Sequence, residues 1–313
     1  MALREEFSFP SSDGVHQIHG LWWLPEDRAP RALVQLVHGI SEYMGRYDAF
    51  ARFLADHGFA VAGHDHLGHG GTARDRTEYG YFSAREGWDH LVRDVKSLHD
   101  RMDRRFPGLP HFLLGHSMGS FVARTYLIDY PGTVTGAILS GTGQEAAPVV
   151  ALGKLLTGFG DPHKVNQLVN ALSLGAYNKQ FKPNRTGADW ISRDQSVVDA
   201  YVRDPLCSFL PTAGMNHDMM TGLQYIAKRE NLAKMDPDTP VLFFSGDRDP
   251  VGGSGKGVKK VVGFFRDAGV KDITLRLYKD GRHEMLNEIN RDEVYRDVAD
   301  WLAAHLPEPA KPA

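Results

Sequence analysis

Gly115-His116-Ser117-Met118-Gly119 reads G-x-S-x-G, set between the apolar run Phe112-Leu113-Leu114 and a helical spacing of Met118, Phe121, Val122 and Tyr126. A serine on a sharp strand-to-helix turn has a strained backbone, and the flanking glycines let neighbouring chain pass close, so its hydroxyl stands clear above the strand ends. That is a nucleophile's place; the competing reading is a serine that only caps the helix. A serine hydroxyl attacks poorly unless a base takes its proton and a third group orients that base. In this arrangement the acid and then the histidine follow in chain order, on loops after later strands. "VLFFSGDRDPVG" offers Asp247 and Asp249, and "LRLYKDGRHEMLNE" leads to His283. Asp249 is the preferred acid, because it lies further into the loop and precedes Pro250, which fixes the turn. Asp247 then caps the strand end. His283, otherwise an ordinary loop histidine, is the base.

Acyl transfer through a tetrahedral intermediate also needs two backbone N–H groups aimed at the developing oxyanion. One follows the nucleophile, at Met118. The other belongs to a loop after an early strand, and "LVHGISEYMGRY" places it at Ile40.

These loops require strands to carry them. Short apolar runs at 32–39, 59–65, 111–116, 135–141, 241–247 and 273–279 read as buried parallel strands. The opening "EFSFPSSDGVHQIHGLWWLP" reads as an antiparallel pair turning at Ser11-Ser12-Asp13-Gly14. Helical faces recur between them: Tyr47, Phe50, Ala51 and Leu54; Trp88, Leu91, Val92 and Val95; Val294, Val298, Trp301 and Leu302. The fold class is therefore α/β, a mostly parallel sheet flanked by helices on both faces. Residues 144–213 break the alternation and read as an inserted, mainly helical cap, with the core formed by 1–143 and 214–308 and a frayed tail at 309–313. The cap's apolar stripe, Val165, Leu168, Val169 and Leu172, fits an acyl tunnel or plain packing, the tunnel being favoured.

The chain has 313 residues, a hydrophobic fraction of 42%, a charged fraction of 24% and a formal net charge of −3. That balance makes no electrostatic case for nucleic acid. The single cysteine, Cys207, rules out an intrachain disulfide and fits a reducing compartment. With acidic residues where a signal peptide would place its apolar run, and no run long enough to span a membrane, the expectation is a cytoplasmic protein. Trp22-Trp23 reads as sheet packing.

In "HGISEYMGRY", "GHDHLGHGGT", "GHSMGS", "VVDAYVRDPL", "SGDRDPVG" and "GRHEMLNE", and in their order, the chain resembles the monoglyceride lipase and lysophospholipase branch of the α/β-hydrolases, grouped with the serine aminopeptidase-type hydrolases. The resemblance implies Ser117, Asp249 and His283 as the triad, Ile40 and Met118 as oxyanion donors, and no cofactor. It further implies that Glu42, Arg46, His116 and Tyr201 line a polar pocket for a glycerol head. Two departures stand out: Ser120 where the family's G-H-S-M-G-G has its last glycine, and a long stretch from Tyr177 to Trp190. His64, Asp65, His66 and His69 invite a metal reading, but alternate residues of such a loop point apart and the family uses this stretch as a structural turn. "HEMLN" lacks the second histidine of H-E-x-x-H, and "GGSGKG" has Gly257 where a phosphate loop needs Ser or Thr.

The expected activity is hydrolysis of carboxylic esters, monoacylglycerols first, with lysophospholipids or short-chain and aryl esters as alternatives. A non-catalytic receptor on the same fold is the remote rival. The expected partners are a small ester or lipid and, through the cap, transient contact with a membrane surface; oligomeric state is not legible.

Overall fold

Strand after strand along the chain joins one sheet. The computed structural model describes residues 2–307, so the tail expected at 309–313 lies outside the described residues. The strands are β1 (Leu3–Pro10), β2 (Gln17–Leu24), β3 (Ala32–Val37), β4 (Phe59–His64), β5 (His111–His116), β6 (Gly136–Ser140), β7 (Val241–Gly246) and β8 (Ile273–Tyr278). Their order across the sheet is β1-β2-β4-β3-β5-β6-β7-β8. β1 and β2 pair antiparallel with Leu3 opposite Leu24 and Pro10 opposite Gln17, and β2 meets β4 antiparallel. From β4 onward every pairing is parallel.

Side chains alternate across this sheet with the period-2 geometry of a strand. Leu33, Val37, Leu113, Val241 and Phe243 join the core on one face, while Val34, Leu36, Phe112, Leu114, Leu242 and Phe244 join that on the other. Both faces are covered, which is why these strands read as unbroken apolar runs. The covering helices are α1 (Asp48–Asp56), α2 (Gly87–Arg105) and α3 (Met118–Asp129). Between β6 and β7 follow α4 (Ala147–Thr157), α5 (Gln167–Leu172), α6 (Leu174–Tyr177), α7 (Gln195–Arg203), α8 (Ala213–Tyr225) and α9 (Arg229–Leu232). Then come α10 (Lys256–Asp267) and α11 (Arg291–Ala304). Phe50 and Leu54 of α1 pack with Val298 and Leu302 of α11; Val95 of α2, Val122 of α3 and Val261 of α10 fill the opposite face.

The long excursion from β6 to β7 does not pack as one body. Val150 of α4 and Met215 and Leu223 of α8 belong to the core on the α3 face. Trp190, Ile191, Val198, Tyr201 and Cys207 form a separate small cluster. In the expected apolar stripe, Val169 is buried but Leu168 and Leu172 are exposed, and Val165 bridges to Thr212 instead of joining a helix. The stripe is not plain core packing.

Candidate active site

Ser117 lies between the end of β5 and the start of α3, with φ 53° and ψ −123°. A non-glycine residue there is strained, and the surroundings hold it in place. Its N–H donates to the Ser140 carbonyl at 2.9 Å. A Cβ at Gly115 would run into the Gly119 carbonyl, and one at Gly119 into the carbonyls of Val37 and His38. Both glycines of G-x-S-x-G thus permit the α3 start to press against β3 and β5. Ser120, the departure from the family pattern, donates its hydroxyl to the Ser117 carbonyl at 2.6 Å. It buttresses the turn rather than disturbing it.

The segment after β3 holds Ile40 beside this turn. Among the described residues, neither the Ile40 nor the Met118 N–H has a protein hydrogen-bond partner. Donors left open next to a nucleophile suit an oxyanion. Histidines support the segment from below. His38 Nδ1 donates to the Gly39 carbonyl at 2.7 Å, while its Nε2 accepts from the His66 N–H at 2.9 Å. His69 Nε2 accepts from the Ser41 N–H at 3.2 Å. Burial above all pushes His38 down to about 3, His64 and His69 to about 4, and His66 well below its ordinary value, so all four rings are neutral. The histidine-rich turn is scaffolding for the Ile40 loop.

His283, on the loop after β8, meets Asp249 on the loop after β7, Nδ1 to Oδ1, at 3.0 Å. A carboxylate only accepts, so the proton sits on Nδ1 and Nε2 presents the lone pair of a base. Asp249 is wholly buried, and it also accepts from Ser245 Oγ and the Val251 N–H, each at 2.9 Å. Asp247 does not reach His283, and its buried Oδ1 has no partner. Burial alone would lower His283, but the charge and hydrogen bond of Asp249, with the charges of Glu284 and Glu42, outweigh it and hold the imidazole above its ordinary value.

The four residues expected around a glycerol head separate. Glu42, His116 and Tyr201 line a cavity of about 20 Å³ in which Ser117, His283 and Glu284 stand among Ile40, Leu174, Trp190 and Ile191. Arg46 is not on that lining. Its NH1 donates to Glu42 at 2.9 Å and to Glu284 at 2.6 Å, its NH2 to the other Glu284 oxygen at 2.6 Å, and the Tyr201 ring covers it at 4.9 Å. Glu42 in turn accepts from the Gly39 N–H at 2.6 Å and from Tyr47. The buried guanidinium therefore clamps the Ile40 loop to the His283 loop. Burial would raise the Glu284 carboxyl, yet the bidentate Arg46 holds it below the ordinary range; burial wins at Glu42, which is pushed up. Burial and the neighbouring His283 keep His116 neutral, down to about 3. Glu284 was missed in the sequence. Its signal there was its place beside His283 and its charge opposite Arg46.

A second, apolar cavity of about 170 Å³ adjoins Ser117, walled by Met118, Phe121, Val149, Leu172, Met219, Met220 and Leu223. Ser117, Ile40, Leu174 and Trp190 border both cavities. A carbonyl at Ser117 would then have one substituent near Glu42, Tyr201 and Glu284 and the other in the larger apolar cavity.

Among the described residues, the one grouping with metal-like ligand spacing is His99, Asp103 and His111. It lies at the opposite end of β5. Its two rings stack at 4.1 Å and 8°, so their lone pairs run side by side instead of converging on one ion.

The profile of the serine aminopeptidase S33 family matches residues 28–290. The chain is 31% identical to a monoacylglycerol lipase of Mycolicibacterium smegmatis, over 97% of this chain and 99% of that one. It is 29% identical to the Homo sapiens monoglyceride lipase, over 90% and 85% of the two chains. Among solved structures, a thermostable carboxyl esterase from Bacillus coagulans in complex with glycerol superposes with a TM-score of 0.89 at 30% identity, covering 97% of this chain and 99% of the other.

Proposed function

The chain belongs to the serine aminopeptidase S33 family, and from that premise we propose that it hydrolyses monoacylglycerols through an acyl-enzyme on Ser117. One observation carries the substrate class: Ser117 and Ile40 stand where a small cavity lined in part by Glu42, His116, Tyr201 and Glu284 meets a larger apolar one. An acyl chain suits the larger side, and the hydroxyls of a short polyol suit the carboxylate, imidazole and phenol groups of the smaller. At about 20 Å³ the small cavity has room for one or two waters, which need roughly 10–15 Å³ each. It can admit the water that releases the acyl group, whereas a glycerol head requires the Leu174–Trp190 side to give way. The relatives' names and the glycerol in the esterase complex support the same reading.

In this mechanism His283 Nε2 takes the Ser117 proton as Oγ attacks the ester carbonyl. The oxyanion rests on the Ile40 and Met118 N–H groups, and His283 passes the proton to the departing alcohol. Water then repeats the attack on the acyl-enzyme. Val149, Leu152, Leu155, Phe159, Leu168 and Leu172 are each more than half exposed, and Val149 and Leu172 also wall the apolar cavity. That surface supports transient contact of α4 and α5 with lipid during substrate entry.

A fluorophosphonate probe should label Ser117, and a panel of monoacylglycerols, lysophospholipids and aryl esters should give monoacylglycerols the highest kcat/KM. An unlabelled protein would remove the hydrolase reading; a lysophospholipid in first place would replace the substrate.

Arg46 provides a sharper test. As a brace it should matter equally to every ester, because a displaced Ile40 N–H weakens each transition state. Arg46→Ala should cost about 1.5–3 kcal/mol in kcat/KM on both a monoacylglycerol and a p-nitrophenyl ester of the same chain length. Direct contact with the glycerol head would leave the aryl ester within about 0.5 kcal/mol of wild type.

A further inference from the structure

The long stretch from Tyr177 to Trp190 walls a third cavity, of about 150 Å³, that shares no lining residue with the two beside Ser117. Three of its lining residues are arginines: Arg185, Arg193 and Arg282. Arg282 stacks on the Phe181 ring at 4.3 Å and donates NH1 to the carbonyls of Asp189 and Ser192. Among the described residues, no carboxylate lies at ion-pair distance from Arg282, so a half-buried cation stands without a counter-charge in contact.

The carboxylates nearby are already engaged. Asp189 accepts from the N–H groups of Arg185 and Thr186 and from the Thr186 hydroxyl. Glu288 accepts from the N–H groups of Arg282, Arg193 and Ile289 and from Arg193 Nε. Asp199 pairs with Arg185. Among the described residues, the guanidinium donors without a protein acceptor are Nε and NH2 of Arg282, NH1 of Arg193 and Nε of Arg185. A space lined by three arginines that keep free donors matches a ligand with several acceptor oxygens, and planar guanidinium forks favour phosphate geometry.

We propose that this cavity binds a phosphate group, as inorganic phosphate or as a small phosphate monoester, and that the bound anion fastens the 181–193 segment to the catalytic histidine loop. Arg282 directly precedes His283. The two segments already run side by side, with the His283 N–H on the Trp190 carbonyl at 3.4 Å and the Glu284 N–H on the Ile191 carbonyl at 2.7 Å. The Trp190 ring packs on His283 at 4.9 Å. An anion bridging Arg282 to Arg185 and Arg193 adds a further tie across the same seam. The cavity has many times the roughly 10–15 Å³ that one water needs, enough for a phosphate with a short alcohol attached.

Thermal unfolding and calorimetry of the full chain, with sodium phosphate against sodium chloride at matched ionic strength, test this without any turnover. The outcome is therefore independent of the ester substrate. The expected result is a saturable rise in Tm and a measurable Kd in phosphate only. Arg185→Gln and Arg282→Gln should each weaken that Kd by about tenfold or more, the scale of one lost charge-assisted hydrogen bond. Should Arg282→Gln fail to fold, Arg185→Gln on the exposed rim decides alone. Glycerol 3-phosphate binding tighter than inorganic phosphate assigns the site to a monoester, and equal affinities assign it to free phosphate. A wild-type response no different from chloride, variants that bind as wild type does, or acetate binding as tightly as phosphate would each overturn the proposal.

Discussion

Ser117→Ala should lower kcat on a monoacylglycerol by about 10⁵–10⁶-fold, and His283→Ala by a similar factor. The two side chains act as one unit: without the hydroxyl no acyl-enzyme forms, and without the imidazole the hydroxyl keeps its proton. Removing both should therefore cost little more than removing either. What survives is the binding and oxyanion contribution of Ile40 and Met118, which these changes leave in place. Steady-state kinetics with circular dichroism as a folding control checks this. A loss below about 100-fold for Ser117→Ala would mean another nucleophile does the chemistry.

Asp249→Asn should cost about 10⁴-fold in kcat, because an amide can present its N–H to Nδ1 and turn the imidazole to the wrong tautomer. Asp247→Asn should stay within about tenfold. The pH dependence distinguishes the roles further. His283 works as a base only when neutral, so kcat/KM should rise with pH through its pKa. Asp249 holds that pKa above the ordinary histidine value, so the acid limb should lie above about pH 6.5. Asp249→Asn removes the charge that raises it, and the limb should move to lower pH. An unmoved limb, or greater damage from Asp247→Asn, would make the acid assignment wrong.

Much of this was legible in the sequence because parallel strands buried on both faces leave an unbroken apolar signature. The runs expected at 32–39, 59–65, 135–141, 241–247 and 273–279 overshoot the strands by a residue or two, at Gly39, Asp65, Gly141, Asp247 and Lys279, and the third also at Thr135. Thr135 apart, the surplus falls at the carboxyl ends of parallel strands, where chain leaves the sheet and where sites form in such folds. Ser117, Asp249 and His283 could be read because each follows an apolar run in a fixed order. Arg46 was harder. Its two carboxylate partners lie 4 and 238 residues away, and nothing local in a sequence reports the second. The apolar stripe through α5 stayed open between tunnel and packing for a related reason: periodicity shows that a helix has an apolar face, not what meets it.

The Arg46 clamp also bears on synthesis. Its guanidinium and Glu42 emerge early, whereas Glu284 comes 238 residues later, just after His283. Until that late segment docks, Arg46 has Glu42 but not the bidentate partner that ties the Ile40 loop to the His283 loop. The brace on the oxyanion loop and the candidate general base therefore enter the nascent chain together, on neighbouring residues.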